Sequence, residues 1–134
     1  MSNQNDFSGL NILTLIFGIS SLWDGFTTVF GTISIFNNDG LPQIVASLLL
    51  AAIILGLLYN SSNIYNYDDD IIGVSLKLLW ILAFLYDLTT SYMGNSSFLI
   101  TNVNPSQIQK FVLLGLTFFV SSSPILLSLM ISKD

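Results

Sequence analysis

Trp23-Asp24-Gly25-Phe26-Thr27-Thr28-Val29-Phe30-Gly31 sets a carboxylate inside an apolar run. An altered copy, Tyr86-Asp87-Leu88-Thr89-Thr90-Ser91-Tyr92-Met93-Gly94, follows later in the chain. Aligning Asp24 on Asp87 also aligns Thr27 with Thr90, Thr28 with Ser91 and Gly31 with Gly94. The same ungapped register carries Pro42 to Pro105. It predicts two copies of one two-helix unit, the first about 8–59 and the second about 71–131.

The surroundings of these stretches decide the class. The chain has 134 residues, of which 52% are hydrophobic and 8% charged. A soluble domain carries about 25% charged residues, so this composition would leave a water-facing surface poorly covered. The mean hydropathy of +0.75 agrees, and the apolar residues come in runs long enough to cross a bilayer, for which about 20 are needed. The expected fold is an all-α integral membrane protein, one domain over residues 1–134. It has four transmembrane helices arranged as two tandem-repeated hairpins in the lipid bilayer.

The first helix is expected from about Ser8 to Phe30. Asn37-Asn38-Asp39-Gly40 is turn chemistry. Pro42 suits the first turn of a second helix, which reaches about Tyr59, because the N–H it lacks would be unpaired there anyway. Asn60 to Asp70 reads as the main polar loop. Asp68, Asp69 and Asp70 directly precede the third helix, where anions favour the positive end of the helix dipole. That helix is expected from Ile71 to Met93, followed by a loop from Asn95 to Asn104. Pro105 is expected to open the fourth helix, which runs to about Ile131 and is kinked at Pro124. Four crossings place both termini on one side. Lys77 and Lys133 on that side, against Lys110 on the other, favour cytoplasmic termini by the positive-inside rule.

Several functions are excluded by residue type. The net charge is −5, with three scattered cationic residues, all lysines. Nucleic-acid binding needs clustered Lys and Arg, so no nucleic-acid partner is expected. Without cysteine or histidine, thiolate sites and histidine metal ligation are unavailable, and no cofactor is expected. A nucleophilic Ser or Thr needs a positioned base, and none is evident. The chain reads as non-enzymatic.

What remains is a polar helix face. Asp24, Thr27, Thr28 and Gly31 recur at i, i+3, i+4 and i+7, one face of a helix. Asp87, Thr90, Ser91 and Gly94 repeat it. The fourth helix aligns Lys110, Thr117, Ser121, Pro124 and Ser128; the second offers only Ser47 and Ala51. Lipid cannot satisfy such groups, so these faces should meet in the bundle interior. Counting back from Gly31 and Gly94 puts both aspartates near one level with Lys110, about two turns from an interface. The expected cluster is Asp24, Asp87 and Lys110 with Thr27, Thr28, Thr90 and Ser91 around them. Two functions fit it. One is a small cation or proton channel or transporter; the other is a non-catalytic structural subunit of a larger membrane complex, in which the cluster locks helix register. A homo-oligomer or larger assembly suits either.

Overall fold

A computed structural model describes residues 4–132 and is all-helical. Four helices are long and apolar enough to cross a membrane. These are α1 (Gln4–Phe36), α2 (Leu41–Tyr59), α4 (Ile71–Leu99) and α5 (Gln107–Ile131). A short helix, α3 (Ser61–Tyr65), lies between α2 and α4 inside the segment expected to be loop. Lys133, used above for orientation, is outside the described residues.

Local chemistry accounts for the helix ends. Asn37 terminates α1 with φ 51°, the left-handed conformation that Asn tolerates better than most residues. Pro42 falls in the first turn of α2 as expected. Asp70 is the N-cap of α4, its carboxylate accepting the Gly73 N–H at 2.8 Å. The neighbouring Asp69 pairs with Lys77. The hydrogen bond and then the charge of Lys77 hold the exposed Asp69 carboxyl below its ordinary value. The contribution of that pair is therefore present above the usual Asp range and fades as pH falls below it.

Helix boundaries differ from the sequence reading: α1 runs on past Phe30 to Phe36, and two later boundaries shift as well. Helix α4 continues past Met93 to Leu99, so Asn95 is helical. Pro105 does not open α5. Ser106 is the N-cap, in a reciprocal capping box with Gln109, and Pro105 precedes it. A Ser with Gln three residues on satisfies two orphan N–H groups at once, and that outcompetes proline at the first turn. The register that pairs Pro42 with Pro105 therefore does not extend to the start of the second helix in each half.

The helices run up and down in sequence. A four-residue turn joins α1 to α2, and Leu55 of α2 lies against Gly25 of α1. At the α3 end, Ile54, Leu58 and Ala83 form an apolar cluster with Trp80 and Ile125 packed on it. The Trp80 indole N–H donates to Ser61 at 2.8 Å, and Ser62 N–H donates to Ser128 Oγ at 3.2 Å. Toward the other end, Asn95 of α4 donates to Thr117 of α5 at 3.1 Å.

The interior is polar and the exterior apolar. Among the described residues, sixteen polar side chains are buried against seven aliphatic ones and Pro124, while long Leu, Ile and Phe side chains point outward. Water as solvent would invert that distribution; a hydrocarbon solvent imposes it.

Replacing Asp70 with Ala removes the α4 cap and should cost about 1 kcal/mol, read by unfolding in mixed detergent micelles. Asp69→Asn, which removes only an exposed surface pair, should leave the same curve unchanged.

Candidate functional site

Asp24 and Asp87 sit where α1 and α4 cross, and both are fully buried. Each lies twelve residues before the end of its helix, at Phe36 and Leu99. That is about 18 Å along the axis, roughly the middle of a hydrocarbon layer about 30 Å thick. Helices ending at Phe30 and Met93 would put them near an interface; the longer α1 and α4 carry them deeper.

Hydroxyls from three helices surround the pair. Thr28 donates to Asp87 Oδ1 at 2.7 Å. Ser91 donates to Asp24 Oδ1 at 2.8 Å, and Ser121 of α5 donates to the same oxygen at 3.0 Å. Thr28 and Ser91 are 3.0 Å apart. The hydroxyl of each helix therefore serves the carboxyl of the other. The second oxygens, Asp24 Oδ2 and Asp87 Oδ2, accept from no hydroxyl or amide donor among the described residues, and the two carboxyls are close enough to hydrogen-bond to each other when one is protonated. The two carboxyls are near enough to act on one another electrostatically. Thr27 and Thr90 also lie in the crossing and turn their hydroxyls to backbone carbonyls one turn earlier, Thr27 to Trp23 and Asp24, Thr90 to Tyr86 and Asp87; Thr27 Oγ1 in addition lies 3.2 Å from Ser91 Oγ across the crossing.

Two glycines permit the crossing. A Cβ on Gly31 would lie 1.9 Å from the Thr90 carbonyl oxygen, and one on Gly94 would lie 2.2 Å from that of Thr27. No side chain fits between backbones that close, so the helices meet there without side chains between them. This contact is what brings hydroxyls on one helix within reach of the carboxyl on the other.

Of the expected cluster, six members converge: Asp24, Asp87, Thr27, Thr28, Thr90 and Ser91. Lys110 does not join them. It is exposed in the first turns of α5 and makes no ion pair among the described residues, where Lys77–Asp69 is the one salt bridge. The α5 residue level with the carboxyls is Ser121, eleven residues beyond Lys110 and about 16 Å along the helix. The reason is geometric. Extending α4 to Leu99 moves the α4–α5 connection outward and carries the start of α5 with it.

Other participants were missed or read differently. Asn95 is fully buried, accepting from the Trp23 indole at 2.8 Å while donating to Thr117. The Tyr86 and Thr32 hydroxyls meet at 3.0 Å. Trp23 and Tyr86 thus bond across the bundle. Their place one residue before each aspartate was the available signal. Ser121 was already visible in the α5 stripe, though not as a carboxyl ligand.

Chemically, the site holds two acids, hydroxyl donors and no cationic partner. Among the described residues no group of three or more acidic, His or Cys side chains gathers as a metal site. No protein-family model matches the chain, and no match was found among curated proteins or solved structures.

The glycine contacts give a sharp expectation. Gly31→Ala or Gly94→Ala should destabilise the fold by about 1–3 kcal/mol, the range for overpacking. Gly18→Ala and Gly115→Ala, where an added Cβ would meet nothing within 4 Å, should not. Thermal unfolding of the four variants in detergent checks this.

Proposed function

We propose that this is a small, non-enzymatic multi-pass membrane protein whose central carboxyl pair carries a proton or a small cation. One observation bears the weight: two fully buried carboxyls side by side at the α1–α4 crossing, each with one oxygen that no hydroxyl serves, and no cationic side chain paired with them among the described residues. Two negative charges at short range in hydrocarbon cannot persist together without compensation. A proton or a small cation is the simplest compensator, and exchanging it is the simplest use of a pair that is costly to keep. In this reading the chain is two related hairpins. The crossed bonds Thr28–Asp87 and Ser91–Asp24 come from residues that the internal register makes equivalent.

A second reading, a structural subunit of a larger membrane assembly, is favoured by the backbone contacts at Gly31 and Gly94, which suit a rigid scaffold. With Lys110 outside the site, an Asp→Asn change orphans no cation in either reading. The aspartates therefore matter to the second reading only through their hydrogen bonds.

Proteoliposomes containing a pH-sensitive dye separate the two. Folded wild type should dissipate an imposed proton or sodium gradient. Asp24→Asn and Asp87→Asn should fold and fall to the rate of empty vesicles. Absence of flux from well-folded wild type would remove the carrier reading and leave the subunit.

A further inference from the structure

We propose that, in this conformation, the Asp24–Asp87 pair exchanges with water from one side of the membrane only. That side carries α3, and the path is a short file of water along the Ser121–Pro124–Ser128 edge of α5. The inference rests on the reading of the pair as an exchange site.

The α5 edge is built for it. Ser121 donates to Asp24. Pro124, fully buried three residues on, has no N–H to give the Val120 carbonyl, so that helical bond is missing. Val120 is itself only 3% exposed, and a buried carbonyl that loses its usual helical donor is almost always paired instead with other protein groups or water. An orphan hydroxyl sits on α1. Ser21 Oγ is buried without a partner, one helical turn before Asp24 on the same face. Buried waters settle where several such groups converge, making about three hydrogen bonds each. Ser128, two turns beyond Ser121, lies about 10 Å further along the axis. It lines an open recess of about 380 Å³ with Tyr59, Ser62, Asn63, Ile131 and Ser132. The recess is on the α3 side, because Ser128 Oγ accepts from Ser62 N–H.

On the opposite side the α1–α4 crossing is closed. Gly31 and Gly94, seven residues beyond their aspartates, press against the Thr90 and Thr27 carbonyls with no space for a methyl group. Asn95 is held by Trp23 and Thr117. No other titratable side chain faces the pair closely. Helix α2 contributes none before Tyr59, α5 none after Lys110, and Tyr86 of α4 is turned to Thr32.

The chain contains no cysteine, so single cysteines report access directly. In proteoliposomes, Ser21→Cys and Ser128→Cys should react with 2-aminoethyl methanethiosulfonate about tenfold or more faster than Thr32→Cys and Thr117→Cys, a barrier difference of at least one decade in rate. Equal rates at all four positions would overturn the proposal, as would an unreactive Ser21→Cys beside a reactive Ser128→Cys. Should a cysteine variant misfold, water-edited solid-state NMR of the wild type decides. Polarisation from water should reach Ser21 and Ser121 before Thr27 and Thr90, and the reverse order sinks the path. The outcomes separate the two claims. Proton flux with reactivity on both sides would keep the exchange site and remove the one-sided path. One-sided reactivity without flux would keep the path and remove the carrier.

Discussion

Taking two carboxyl groups to the middle of a bilayer is the constraint that the rest of this bundle answers. Bulk water is remote there, and among the described residues no cationic side chain pairs with them. Hydroxyls must therefore do the solvating, and they must come from more than one helix. Thr28, Ser91 and Ser121 supply them from α1, α4 and α5. Their reach is short, so the helices must approach closely, and that is the task of Gly31 and Gly94. The acid pair and the glycine contacts are two parts of one arrangement.

The same constraint explains why the fold is polar within and apolar without. In hydrocarbon, apolar side chains gain nothing by turning inward, and hydrogen bonding and close packing hold the helices together. The interior is accordingly threonine, serine and two carboxyls, with a small aliphatic patch at the α3 end. Helix α2, with no charged residue, serves mainly as a wall: Ser47, Ala51, Ile54 and Leu58 face inward and the remainder faces lipid.

Asymmetry between the two sides of the pair comes chiefly from α5. Helix α2 carries a proline only in its first turn and a single serine, Ser47. Proline in a spanning helix is tolerated when something else serves the carbonyl it strands. Here Ser121, Ser123 and Ser128 lie buried around the proline of α5, while glycine contacts close the α1–α4 crossing.

Much of this was legible in the sequence. Long apolar runs fixed four spanning helices, since length and hydropathy are enough for that. The i, i+3, i+4, i+7 spacing placed Asp24, Thr27, Thr28 and Gly31 on one face, and Asp87, Thr90, Ser91 and Gly94 on another, because helical periodicity is a local property. The partner of Asp24 was a different matter. Depth across separate helices depends on where each one ends. Continuing α4 to Leu99 and starting α5 after a Ser106 cap shifted the register of α5 enough to substitute Ser121 for Lys110. Asn95 likewise passed for a loop residue until helix α4 buried it. Local pattern determined which residues face inward. Only the packed bundle, through helix ends and crossing contacts that no single segment encodes, decided which of them meet.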